Sequence, residues 1–231
     1  MNKSQHEQAQ YSIWFILVVA IFITCLMTAN IVAVKLVDVA GMILPAGIVI
    51  FPISYIVGDV LTEVYGYRRA RRVIWLGFFC NLVAVVGIVI GQALPAAGFW
   101  DGQAAYERIL GYTPRLLMAS FIAFLIGEFA NSYVLSRMKV ATQGRWLWTR
   151  TIASTVVGQG LDSVIFIFFA FWGTSPETAL LSAMVTQWLF KVAYETAATP
   201  ITYIVVDFIK RKEGIDVYDR DISFNPLSLA E

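Results

Sequence analysis

The sequence predicts an all-α membrane protein, a bundle of six transmembrane helices with both termini in the cytoplasm. Three observations predict it. The composition is 58% hydrophobic and only 14% charged over 231 residues, where a soluble domain carries about 25% charged residues. The apolar residues gather into six long runs. The basic residues fall almost entirely on one side of those runs.

The runs cover about 11–34, 39–65, 73–94, 116–136, 151–172 and 178–206. A spanning helix needs about 20 largely apolar residues. These runs are long and continuous, without the apolar–polar alternation of barrel strands. The first follows ten polar residues and has no small-residue cleavage site behind it, so it reads as a membrane helix rather than a cleaved signal. The whole chain reads as one transmembrane domain, with a short cytoplasmic tail at 208–231.

The basic residues then test the count. Arg68, Arg69, Arg71 and Arg72 fall in the second loop, and Arg137, Lys139, Arg145 and Arg150 in or beside the fourth. Lys210, Arg211, Lys212 and Arg220 follow the last run, and Lys3 precedes the first. With six crossings these thirteen share one side, against Lys35, Arg108 and Arg115 on the other, while Lys191 lies within the membrane. Positive charge marks the cytoplasmic side. The loop 95–114 faces outward and reads as an interfacial segment or a lid. A 3+3 inverted repeat is compatible with six helices, with Gly58-Asp59 loosely matched by Gly160-Leu161-Asp162. Pro45 and Pro52 are candidate breaks in the second helix, and Pro200 in the sixth.

A net charge of +1 gives no global field for nucleic acid. The single histidine, His6, lies outside the runs, which removes an HExxH zinc site and a Ser-His dyad. No glycine-rich phosphate loop occurs. Cys25 and Cys80 read as small hydrophobes. No enzyme activity, metal or cofactor is expected.

Six ionisable residues nevertheless sit in or near the bilayer: Asp59, Glu63, Glu128, Asp162, Lys191 and Glu195. Each costs at least about 2.5 kcal/mol at mid-membrane, so such groups face a cavity or one another. They form helical stripes: Tyr55, Asp59 and Glu63 at steps of four; Glu128 and Asn131 three apart; Thr151, Thr155, Gln159 and Asp162; and Gln187, Lys191, Glu195 and Thr199. The simplest packing turns all four stripes inward. A rise of about 1.5 Å per residue puts Asp162 and Lys191 at a common depth, where they can pair. Glu63 stands near the arginines at 68–72, where an interfacial ion pair is as good a reading as a functional one. Gly87 and Gly91 form a GxxxG helix-packing pattern. Ala29 and Ala33 form a small-residue face that hints at a partner. The candidate solute-binding residues are Tyr55, Asp59, Glu128, Asn131, Gln159, Asp162, Lys191 and Glu195.

The stretch at 51–67, FPISYIVGDVLTEVYGY, resembles the second helix of the queuosine precursor transporter family, a branch of the vitamin uptake transporters. Glu128 with Asn131-Ser132, the run 150–162 (RTIASTVVGQGLD), Lys191 and the tail Tyr218-Asp219…Phe224-Asn225-Pro226 are similar to the same family, over nearly the whole chain. The resemblance implies inner-membrane uptake of 7-cyano- and 7-aminomethyl-7-deazaguanine, and in some members queuine. The partners it implies are a purine-like small molecule and the lipid bilayer, and a homo-oligomer is left open. Alternating access, with a proton as a candidate coupled ion, is the mechanism that suits it. The rival is a substrate-binding subunit energised by a separate ATPase.

Overall fold

The computed structural model describes residues 12–39, 42–111, 114–173 and 176–228. Their order is α1 (Ile13–Val32), β1 (Leu36–Val39), β2 (Met42–Pro45), a 3-10 turn (Ala46–Val49), α2 (Phe51–Tyr65), α3 (Tyr67–Ala93), α4 (Gln103–Leu110), α5 (Pro114–Ala141), α6 (Leu147–Phe171) and α7 (Glu177–Glu213). Lys3, and with it the first ten residues, lies outside the described residues.

Four helices are long and apolar enough to cross a membrane: α1, α3, the Leu117–Ala141 part of α5, and α6. Their outer faces are greasy. On α3, Phe79, Val83, Val86 and Ile90 are each at least half exposed, a surface that water would not tolerate and lipid does.

The expected second helix is corrected. Leu36–Val39 and Met42–Pro45 pair as antiparallel strands, with Val37 opposite Leu44 and Asp38 opposite Ile43. Helix α2 is only 15 residues long, roughly 22 Å at 1.5 Å per residue, against a hydrocarbon core near 30 Å. Prolines explain the break. Pro45 has no N–H to give a helix and disfavours helical geometry at Leu44. Pro52 sits in the first turn of α2, where its fixed φ suits a helix start. Helix α7 is longer than expected, at 37 residues with Pro200 inside it. It absorbs the start of the expected tail.

The second loop is also corrected. It shrinks to Gly66, whose φ of +82° turns the chain sharply from α2 into α3. Arg68, Arg69, Arg71 and Arg72 therefore ride on the first turns of α3. The tail returns to this corner. The Val217 amide donates to the Val64 carbonyl (3.3 Å), and Asp219 accepts from the Tyr67 amide (2.8 Å) and from Ser136 Oγ (2.6 Å). Asp219 thus satisfies an otherwise orphaned N–H at the start of α3. Arg71 donates to the carbonyls of Ser223 and Asn225, and Trp75 to that of Pro226.

Helices α5 and α6 pack backbone to backbone. A methyl group placed on Gly158 would lie 2.8 Å from the Gly127 carbonyl, and one on Gly127 would lie 2.9 Å from the Gly158 carbonyl. The expected GxxxG contact behaves otherwise. Nothing lies within 4 Å of a Cβ built on Gly87, and Gly91 faces the Tyr106 hydroxyl of α4. Ala29 is fully buried inside the chain, so it offers no free surface to a partner.

Candidate binding site

The four polar stripes do turn inward. Tyr55 of α2, Glu128 of α5, Gln159 and Asp162 of α6, and Gln187 and Lys191 of α7 line a cavity of about 400 Å³. Aromatic walls close it, Phe121, Phe124, Phe166, Phe190 and Tyr194 among them. Apolar walls with a few convergent polar groups are the usual make-up of a small-molecule site.

Each polar group is held by its helix and its neighbours. Lys191 Nζ hydrogen-bonds Asp162 Oδ2 as an ion pair, with side chains 13% and 22% exposed. Both therefore face the cavity while remaining paired. The absence of side chains at Gly127 and Gly58 makes this geometry reachable. A Cβ on Gly127 would strike Asp162 Cβ at 2.8 Å, and one on Gly58 would strike Glu128 Oε1 at 2.6 Å. Gln159 hydrogen-bonds the Tyr55 hydroxyl, which leaves its own Oε1 without a partner, as is Gln187 Oε1. A buried acceptor left unmet costs about 1–3 kcal/mol. Both atoms belong to residues of the cavity wall.

The other three candidates lie elsewhere. Asp59, Asn131 and Glu195 are not among the cavity's lining residues. They sit one turn further along their helices from Tyr55, Glu128 and Lys191, and are 1%, 4% and 1% exposed. Asn131 Nδ2 donates to Asp59 Oδ1 at 2.9 Å.

A third layer lies another turn on. Glu63 accepts two parallel hydrogen bonds from Arg150 (2.8 Å each) and one from Lys210 (2.7 Å). Lys139 donates to the Glu63 carbonyl, to Asp216 (2.5 Å) and to the Val217 carbonyl (2.7 Å). Glu63 is therefore an ion-pair residue, with partners other than the arginines of α3. Asp216 lies outside the spans. Burial alone would raise its pKa, but the hydrogen bonds from Lys139 and Lys210 outweigh that and hold it below the usual carboxylate value.

Sequence reasoning missed Ser54, Asn81 and Ser120 in the lining. Asn81 carried a usable signal, since it is an amide in the middle of the apolar run of α3. It accepts from Asn30 Nδ2 at 3.4 Å. A second cavity of about 330 Å³ shares Asn30, Asn81, Ser120, Phe121 and Phe166 with the first and reaches Arg108 of α4. The first cavity thus adjoins a second one beside α4.

Comparison with known proteins agrees with this arrangement. The family model described as "Putative vitamin uptake transporter" matches residues 45–205. A "Probable queuosine precursor transporter" of Bacillus subtilis (strain 168) is 32% identical over 187 residues, 80% of this chain and 81% of the relative. The "Queuosine precursor transporter" of Escherichia coli (strain K12) is 26% identical over 82% of this chain and 83% of its own. No solved structure matches. A polar cavity among lipid-facing helices and these relatives point the same way: the chain is a transporter rather than an enzyme, and it belongs to the queuosine precursor transporter family of the vitamin uptake transporters.

Proposed function

We propose that this protein imports 7-deazaguanine precursors of queuosine, 7-cyano- and 7-aminomethyl-7-deazaguanine, across the inner membrane by alternating access. The observation that carries the reading is the donor and acceptor set around one aromatic-walled cavity. A guanine-like edge presents two adjacent N–H donors and one carbonyl. A carboxylate accepts both donors, and an amide or ammonium serves the carbonyl. Glu128 or Asp162 takes the first part, and Gln159 or Lys191 the second. Tyr55, Phe166 and Tyr194, all in the cavity wall, are the candidates to cover the ring faces. Asn131 serves by holding Asp59 rather than by touching solute.

Six crossings with cytoplasmic termini put the second cavity and α4 outside and the Glu63 layer inside, in accord with the basic residues. Helix α2 with the strand pair before it makes the second crossing, its irregular backbone kept within the protein. The structure is then an outward-facing state. Inward opening requires the Glu63 layer to part, as a cytoplasmic gate does.

The test is genetic. Cells unable to make the precursor, with this gene deleted and the precursor supplied at low concentration, should lose queuosine-modified tRNA and regain it with the wild-type gene. Asp162→Asn should fail to restore it, with solute affinity of the purified variant down roughly tenfold to a hundredfold, the value of a charge-assisted hydrogen bond. Normal uptake by that variant would remove Asp162 from the site. Import by the purified chain alone in liposomes would exclude an obligatory ATPase partner.

A further inference from the structure

Polar residues descend through this protein in three tiers, one helical turn apart along α2: Tyr55, Asp59 and Glu63. The top tier lines the cavity and the bottom tier is an ion-pair lock. The middle tier is neither. Asp59 and Glu195 are both 1% exposed. Of their four carboxylate oxygens only Asp59 Oδ1 has a hydrogen-bond donor, Asn131. Asp59 Oδ2 and both oxygens of Glu195 have none among the described residues.

The surrounding charges do not supply the missing partner. Glu195 faces Asp59 of α2 and Glu128 of α5. Asp59 faces Glu63 of its own helix and Arg150 of α6, and Arg150 already gives two bonds to Glu63. Lys191, one turn above Glu195 on α7, is held by Asp162 of α6. The Tyr55 hydroxyl is engaged by Gln159. Helix α1 brings no acid or base. Two buried carboxylates without a counter-ion require a cation, because an isolated charge out of water neutralises rather than persists. A metal ion needs a shell of oxygens, and among the described residues no group of three or more His, Cys, Asp or Glu is arranged to hold one. A proton needs only one oxygen.

Position gives the pair a use. Glu195 lies five residues before Pro200, inside the 37-residue α7. Proline donates no N–H to the carbonyl four residues back, so α7 is weakest against bending next to this acid. Resting on the import reading above, we propose that Asp59 and Glu195 form a proton-carrying site, separate from the solute cavity, that couples downhill proton movement to solute import. One proton binds a carboxylate oxygen from the outward side while solute occupies the cavity. The same proton leaves to the cytoplasm after the Glu63 layer opens. With a neutral solute, one positive charge moves inward per cycle.

The test uses the purified full chain in liposomes, with 7-cyano-7-deazaguanine as solute and a pH dye in the lumen. An inward gradient of one pH unit should drive about tenfold accumulation per coupled proton, with lumen acidification that tracks solute and disappears with a protonophore. Glu195→Gln and Asp59→Asn should each lose accumulation and acidification while retaining solute affinity and solute-for-solute exchange. The proposal is overturned by gradient-driven accumulation in both variants, by wild-type import without lumen acidification, or by import driven by a sodium gradient instead. Loss of solute affinity in the variants would also overturn it, making these acids solute ligands. The wild-type acidification measurement stands even where a variant does not fold. A wild-type protein that binds no solute at all would overturn the import reading itself.

Discussion

The bottom and middle tiers contain the same chemistry put to opposite uses. At the bottom, Glu63 is fully buried and surrounded by Arg150, Lys210 and Lys139. One turn away Asp59 and Glu195 are as deeply buried, yet three of their oxygens have no donor among the described residues. A saturated cluster holds one arrangement. An unsaturated one waits for something to bind. Burial alone therefore does not separate the two tiers, and the count of satisfied oxygens does.

The sharpest way to break this comparison is to remove the central acid of the saturated tier. Glu63→Ala strands Arg150, itself 1% exposed, and should cost about 3–5 kcal/mol, the penalty for halving a buried ion pair. Thermal unfolding in detergent measures it. A near-neutral result would put the Glu63 tier in the same class as the one above it. Next in size is Gly158→Ala. The new methyl would meet Asn131 Cβ at 2.7 Å and the Gly127 carbonyl at 2.8 Å, and α5 and α6 cannot part cheaply. A loss of about 1–3 kcal/mol in the same assay is expected.

Smaller effects sharpen the edge of the bottom tier. Asp216 has a depressed pKa in the folded protein. Such a group adds stability above its ordinary value of 3.8, and that contribution fades as pH falls through the lower, folded value. The tail should therefore stay docked across neutral pH and loosen only in acid below about pH 4, read as faster proteolytic clipping after α7. Protection that vanished near neutrality would assign the hold to another group. Smallest of all, Arg211→Ala breaks an exposed pair with Asp207 and should shift stability by less than about 0.5 kcal/mol.

Much of this was legible in the sequence because lipid imposes a simple code. Uninterrupted apolar runs mark the crossings, and polar steps of three and four mark the face that avoids lipid. The four stripes and the Asp162–Lys191 pair follow from that code. The pairing of Leu36–Val39 with Met42–Pro45 does not, since an apolar run has the same composition as helix or as sheltered strand. Only Pro45 and Pro52 hinted at it. The partners of Glu63 were misread for a different reason. Arg68 to Arg72 are near it in sequence, but Gly66 turns them away, and the true partners lie 76 to 147 positions along the chain. Close approaches such as Gly127 to Gly158 leave no mark beyond a small residue in each helix.

The docked tail has a consequence for how the chain is built. Tyr67, Arg71 and Trp75 belong to a helix made early, yet their tail partners are 151 to 157 residues downstream. Lys139 likewise waits 77 residues for Asp216. During synthesis the first helices stand in the bilayer with those groups unmet. The corner at Gly66 is completed only once residues 216–226 have been made, because contacts so distant in sequence form last. A chain cut just after α7 would keep its long helices and leave that corner unfinished.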